Sequence, residues 1–243
     1  MHRLNTRTWG DGPRSAVLVH GMMSDSNVWW QVGPALAERG YRSTAVDLPG
    51  HGHTPPDLDA TVERFADQLI ESVPHGPDLL IAHSMGSFIC SLALRQMKPK
   101  STVFVDTPVG ASPDVTLHEM NAFLSNARSK RTLNQLASKH PDWHPHDHEV
   151  EAAAAARFDP STTARLMASA SGRDFTPQPD IPALMIKAKP SRYVDEAATR
   201  YLVGAGWSVE SIIGADHLAW FGHLDEFMTI LDQWKGCSRP TTR

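Results

Sequence analysis

Short β-type runs recur along this chain, and nearly all of them are apolar on both faces: AVLVH (16–20), STAVDL (43–48), DLLIAH (78–83), TVFVD (102–106), ALMIKA (183–188) and SVESII (208–213). A strand with one wet face alternates apolar and polar residues, whereas a strand apolar on both faces needs cover on both. Such cover comes from helices above and below a sheet, which in turn implies largely parallel strands joined by helical crossovers. The intervening segments have the required period. NVWWQVGPALAERG closes on a glycine stop, DATVERFADQLIESV places apolar residues at helical intervals after Asp59, and SMGSFICSLALRQM and HLDEFMTILDQWKG read the same way. A first strand near HRLNTRTWG is more weakly signalled.

The alternation breaks between about Val109 and Gln178. LHEMNAFLSNARSKRTLNQLASKH and DHEVEAAAAARFDPSTTARLMASA are helical in pattern, with prolines between them and no strand candidate. An insertion after the C-terminal end of a strand sits over the sheet edge where open α/β folds bind ligands, so this stretch reads as a lid. The expected organisation is a core of 1–108 and 179–236, a helical lid of 109–178 and a flexible tail of 237–243. A length of 243 residues with 41% hydrophobic composition suffices for one such core. The 23 basic and 27 acidic side chains are scattered, net −4, and leave no electrostatic footprint for nucleic acid or an anionic membrane. Two cysteines, Cys90 and Cys237, are too few for a disulfide framework. The N-terminal stretch lacks the apolar segment of a secretory signal, and no apolar run reaches bilayer length. These features predict a cytoplasmic protein, monomeric or homodimeric, that acts on a small molecule.

Within the third of these runs the apolar residues halt at Ala82-His83-Ser84-Met85-Gly86 and restart with helical spacing. A serine at so sharp a strand-to-helix corner is either a nucleophile or a helix cap. Small residues two before and two after it let the strand and helix backbones cross closely. A serine hydroxyl is a poor nucleophile at neutral pH and requires a base within hydrogen-bond reach, itself oriented by a carboxylate.

Ala82-His83-Ser84-Met85-Gly86 resembles the nucleophile elbow of the α/β-hydrolase family, Gly-x-Ser-x-Gly, with Ala82 in place of the first glycine. VLVHGMM resembles that family's first core strand and His-Gly oxyanion loop, VDLPGHGHT its Asp-x-Pro-Gly-x-Gly loop, and GADHLAW its late Gly-x-x-His segment. These landmarks follow the family's order from about Ser15 to Trp234. The resemblance implies an α/β-hydrolase fold, a mostly parallel central sheet with helices on both faces and the helical lid inserted after the strand ending at Asp106. It implies Ser84 as nucleophile, His217 as base, and the backbone N–H groups of Met22 and Met85 as oxyanion donors. His223, inside the final helix, is the second choice for the base.

The acid departs from the family pattern. The usual aspartate follows the strand corresponding to ALMIKA, and there Ser191 stands instead, in KAKPSRYVDEAATR. Asp106, at the end of the neighbouring strand, is the first choice, because some family members draw the acid from that strand. Asp195 is the alternative, although it also suits the first turn of the next helix. Asp216 is poorly placed, since adjacent loop side chains seldom face one another.

Seven tryptophans are many for this length. Trp29, Trp30, Trp143 and Trp220, with Met22, Met23, Phe123 and Met167, predict a pocket for an apolar or aromatic group and supply no fixed charge for an anion. His140, His144, His146 and His148 lie close together in KHPDWHPHDHEVE, but without metallo-hydrolase spacing; the stretch reads as a turn before a helix capped near Asp147, and neither metal nor cofactor is predicted. The expected function is a serine hydrolase that cleaves a carboxylic ester, lactone or thioester of an apolar small molecule through an acyl-enzyme on Ser84. HGMMSDSNVWWQVGPALAERGYRSTAVDLPGHG is similar, more weakly, to the methylesterase and hydroxynitrile lyase branch, which leaves non-hydrolytic C–C cleavage open. A ligand-sensing protein with little turnover is the third reading.

Overall fold

The computed structural model describes residues 3–110, 114–176 and 181–234. Cys237 and the expected tail 237–243 lie outside the described residues, as does the expected lid boundary at 178. Seven strands among the described residues form one sheet: β1 (Asn5–Trp9), β2 (Arg14–Val19), β3 (Tyr41–Asp47), β4 (Leu79–His83), β5 (Thr102–Val105), β6 (Ala183–Lys189) and β7 (Ser208–Ile213). Their order is β1-β3-β2-β4-β5-β6-β7. Only β1 runs antiparallel to its neighbour; β2 to β7 are parallel. The register sets Val19 opposite Ala82, His83 opposite Val105 and Val105 opposite Ile186, so the chain leaves β2, β4, β5 and β6 at one common edge.

Alternation along these strands divides the core into two layers. Val17, Val19, Leu80, Ala82, Phe104 and Met185 face one side, where α2 (Val62–Ser72) and α3 (Met85–Met97) cover them with Phe65, Leu69, Ile89 and Ala93. Leu18, Leu79, Ile81, Val103, Val105 and Ile186 face the other, against α1 (Val32–Glu38), α9 (Leu224–Gln233) and the stacked rings of Trp29 and Trp220. Each fully buried side chain of this kind is worth roughly 1.5–3 kcal/mol over its exposed state. Cys90 sits in the first layer, where burial pushes its thiol up. SVESII is the exception to two-sided cover: β7 is the sheet's edge, and Ser208, Glu210 and Ile213 are exposed. Among the described residues no helix is long and apolar enough to cross a membrane.

Among the described residues, four helices lie between β5 and β6, α4 (Leu117–Ser129), α5 (Leu133–Lys139), α6 (Pro145–Arg157) and α7 (Pro160–Ala170), followed after β6 by α8 (Glu196–Gly204). The cap of α6 differs from expectation. His144 is its N-cap and Pro145 its first residue, while the Asp147 carboxylate accepts from the His144 N–H at 3.0 Å, three residues into the box rather than at its start.

The loop after β3 joins this insertion to the sheet. Buried Asp47 accepts from Ser26 N–H (2.7 Å), His53 N–H (2.9 Å) and Asn5 Nδ2 (2.7 Å). Burial would raise this carboxyl, but these donors hold it below its ordinary value. Gly52, at φ +52°, is needed because a Cβ there would stand 2.4 Å from Asp47 Cγ. His51 is fully buried, with Nδ1 3.0 Å from the Pro49 carbonyl and Nε2 3.5 Å from Thr163 Oγ1 on α7.

Burial, and next the neighbouring His20 imidazole, lower the His51 pKa to about 3. The unfolded chain takes up a proton at this residue near pH 6.5 and the folded one does not, so its contribution to stability is complete above that pH and is lost as pH falls toward 3. The expected loss is about 1.4 kcal/mol per pH unit across that window. Urea unfolding at pH 7 and pH 5 measures it: the stability difference between the two should shrink by about 2 kcal/mol in His51→Gln, since only the part below pH 6.5 counts, and an unchanged difference would contradict the assignment.

Candidate active site

Ser84 stands at the junction of β4 and α3 with φ +49° and ψ −122°, one of the few non-glycine residues with positive φ. Such backbone is costly, of order 1–3 kcal/mol, and persists only where its surroundings enforce it. The enforcement is visible on both sides. Ser84 N–H donates to the Val105 carbonyl at 3.1 Å, and a Cβ at Gly86 would lie 2.4 Å from the His20 carbonyl oxygen. The Ser84 side chain caps nothing: its hydroxyl makes no hydrogen bond among the described residues.

Asp106 immediately follows β5 and also has positive φ, +42°. Its N–H donates to the Ile186 carbonyl at 2.8 Å, tying the residue to β6. Oδ2 lies 2.8 Å from His217 Nδ1, while Oδ1 accepts from Ser191 Oγ at 2.7 Å and Ala188 N–H at 3.2 Å. A carboxylate only accepts, so Nδ1 carries the imidazole proton and Nε2 is left as the basic nitrogen. Asp195 does not join this group. It is the N-cap of α8, accepting from Ala198 N–H at 2.8 Å. Ser191, at the position where the resemblance led to an acid being expected, instead donates to the Asp106 carboxylate, and accepts in turn from the N–H groups of Tyr193 and Val194.

His217 lies in the loop after β7 and its ring packs between Tyr193 (centroids 4.4 Å) and His83 (4.5 Å). His83, the residue before Ser84, points to this side of the sheet and donates from Nε2 to the His217 carbonyl at 3.0 Å. Burial, then the adjacent His217 ring, hold His83 well below the ordinary histidine range, so it stays neutral. The loop bearing His217 is thereby fastened to the residue beside Ser84. No hydrogen bond links Ser84 to His217 in this structure; such bonds commonly tighten only when a substrate is bound. His223 is the N-cap residue of α9, with Nδ1 3.9 Å from Glu226.

The loop after β2 passes across the elbow. A Cβ at Gly21 would meet His83 Nδ1 at 2.7 Å and Ser84 Cβ at 3.0 Å, so only glycine allows this approach. The backbone N–H groups of Met22 and Met85 donate to nothing among the described residues. His20 steadies the loop by accepting from Leu48 N–H at 3.0 Å. From the insertion, Glu151 on α6 accepts from Ser24 Oγ at 2.7 Å and pairs with Arg131, and Arg157 reaches the buried carboxylate of Asp25 at 2.6 Å. Desolvation raises the Glu151 pKa. None of Ser24, Glu151 and Arg131 carries a sequence motif; the fold alone brings them together.

A cavity of ≈ 480 Å³ opens beside His217, bounded by Met22, Asp106, Trp143 and Tyr193 and by three cations, Arg131, Lys139 and Arg192. Of the aromatic residues expected at a pocket, Trp143 lines this one. Trp29 and Trp220 do not: they are fully buried and stacked at 4.3 Å, because the covered sheet face offers each large ring more apolar contact than a wet cavity would. Trp30 bonds Asp147 through Nε1 at 2.9 Å and so bridges to α6. Met23 is buried beneath the insertion, Met167 is buried where α7 packs on the core, and Phe123 on α4 is 57% exposed. The fixed charge at this cavity comes from Arg131, Lys139 and Arg192, which are not among the residues expected at a pocket. The clustered histidines disperse: His140 pairs with Asp216 (2.8 Å), His146 with Glu149 (2.8 Å), and His148 bonds the His140 carbonyl (2.9 Å). No three His, Cys, Asp or Glu side chains among the described residues are grouped to hold a metal ion.

The sequence profile of the alpha/beta hydrolase family matches residues 16–229. A pimeloyl-[acyl-carrier protein] methyl ester esterase of Methylococcus capsulatus is 38% identical over 88 residues, 36% of this chain and 34% of that protein. The chain thus matches about a third of the length of such curated relatives. In three dimensions it is similar to a thermophilic esterase from Thermogutta terrifontis (TM-score 0.76, 19% identity, 97% of this chain and 94% of the other). The enol-lactonase from Burkholderia xenovorans LB400 superposes with TM-score 0.72 at 19% identity, covering 94% of each chain.

The Asp106–His217 bond predicts a far-downfield imidazole proton resonance. It should vanish in Asp106→Ala and persist in Asp195→Ala, while the latter loses about 1 kcal/mol of stability with its helix cap. Loss of the resonance in Asp195→Ala would transfer the pairing to that residue.

Proposed function

Given that the chain belongs to the alpha/beta hydrolase family, we propose that it is a serine hydrolase cleaving a carboxylic ester or lactone, with Ser84 as nucleophile, His217 as base and Asp106 as the orienting acid. The observation that carries this reading is the 2.8 Å contact between Asp106 and His217 Nδ1, formed on a loop fastened to the residue beside a strained, unbonded serine. In this scheme Ser84 Oγ attacks the substrate carbonyl as its proton passes to His217 Nε2. The carbonyl electron pair moves onto oxygen, held by the Met22 and Met85 N–H groups. His217 then protonates the departing oxygen as the C–O bond breaks, leaving an acyl group on Ser84. Water delivers its proton to His217 and its oxygen to the acyl carbon, and collapse restores the Ser84 hydroxyl. The inserted helices serve as the lid, with the Glu151–Ser24 contact steadying the loop that presents Met22.

A fluorophosphonate probe should label wild type at Ser84 and fail to label Ser84→Ala. Against a panel of esters, lactones and thioesters, Asp106→Asn is expected to lower kcat by roughly 10⁴, through the wrong imidazole tautomer, and Asp195→Asn to leave it within about twofold. A protein that binds these compounds but neither labels nor turns over would be a sensor, and the hydrolase reading would be wrong.

A further inference from the structure

The cavity beside His217 brings together charges that the sequence keeps apart. Arg131 comes from the turn between α4 and α5, Lys139 from the end of α5 and Arg192 from the loop after β6, and all three line the same ≈ 480 Å³ space as His217. The carboxylates around it are already engaged. Asp106 holds His217 and Ser191, Asp216 holds His140, and Glu151 holds Arg131. Lys139 and Arg192 have neither an ion pair nor a side-chain hydrogen bond among the described residues. Two unengaged cations from separate elements therefore face one cavity, with the ring of Trp143, stacked at 4.0 Å on His140, as an apolar wall between the insertion and the core.

The position of this cavity determines which part of a substrate would enter it. His217 must deliver its proton to the departing oxygen, so the leaving group lies on the His217 side. Resting on the serine-hydrolase reading above, we infer that this cavity is an anion-recognising subsite for the leaving group, and that the protein prefers esters whose alcohol or phenol portion carries a carboxylate. Arg192 supplies a planar fork matched to a carboxylate and Lys139 a mobile point charge. A carboxylate suits the subsite better than a dianionic phosphate, because Asp216 and Asp106 also line the cavity and would repel the second charge.

The matched pair 4-acetoxybenzoate and 4-acetoxybenzamide tests the preference, since they differ chiefly in charge at the far end of the leaving group. Wild type should show about tenfold higher kcat/KM for the carboxylate, shrinking as salt is raised. In the Lys139→Ala/Arg192→Ala double variant the ratio should fall to near one, through KM. Equal rates in wild type, or a preference that survives in the double variant, would overturn the inference. Equilibrium binding of the product 4-hydroxybenzoate to Ser84→Ala provides a readout independent of turnover, and should weaken about tenfold when the two cations are removed. Binding that depends on Lys139 and Arg192 in a protein that hydrolyses neither ester would uphold the subsite and sink the hydrolase reading; absence of binding would sink the subsite.

Discussion

The close crossing at Gly86 is the constraint on which the rest of the site depends. With an added Cβ only 2.4 Å from the His20 carbonyl, α3 can lie against the loop after β2 solely because that position has no side chain. The crossing forces Ser84 into positive φ, brings the Met85 N–H to the start of α3, and lets Gly21 pass within contact of Ser84 Cβ. The strain is borne by packing on both sheet faces. Val19 and Ala82 are fully buried in the layer beneath, and Leu79 and Ile81 in the layer above. A rigid sheet supports a corner that a loop could not.

Much of this was legible because it is local. An apolar strand followed immediately by helical periodicity leaves no room for a relaxed turn, so Ser84 stands out with no partner in view. The strands are equally legible, since two-sided burial leaves a mark on every residue; β7 departs from the pattern because an edge strand has a neighbour on one side only. The acid was harder. The pairing of Asp106 with His217 depends on β5 and β7 lying two strands apart with β6 between them, a matter of topology that no spacing encodes. The exchange at Ser191 left a trace, a hydroxyl where an acid is usual, but its meaning emerges only when both groups are seen on one carboxylate.

Side-chain direction on loops and amphipathic helices carried the least signal. A tryptophan is equally at home against a sheet and around a ligand, so Trp29 and Trp220 cannot be told from Trp143 by type. Arg131, Lys139 and Arg192 look like ordinary surface cations in sequence, and their convergence is produced by the insertion folding back over the loop after β6. His83 was legible as a neighbour of Ser84 but not as a donor, because its acceptor belongs to a loop 134 residues away.

Besides the apolar packing of Leu166, Met167, Ala170 and Phe175 on the core, four polar contacts join the insertion to it: Ser24 with Glu151, Asp25 with Arg157, His51 with Thr163, Trp30 with Asp147. Apolar contact is tolerant of sliding, whereas a buried carboxylate that loses its partner is left unsolvated at a cost of several kcal/mol. These contacts therefore define one seating of the insertion more sharply than its hydrophobic packing does. Three of them fall within residues 24–30, immediately after Met22. The segment that continues from one proposed oxyanion donor is thus also the seat of the insertion, and any displacement of α6 must move a charge out of its pairing or carry that segment with it. The placement of the Met22 N–H and the seating of the insertion therefore have a common origin in the same few hydrogen bonds.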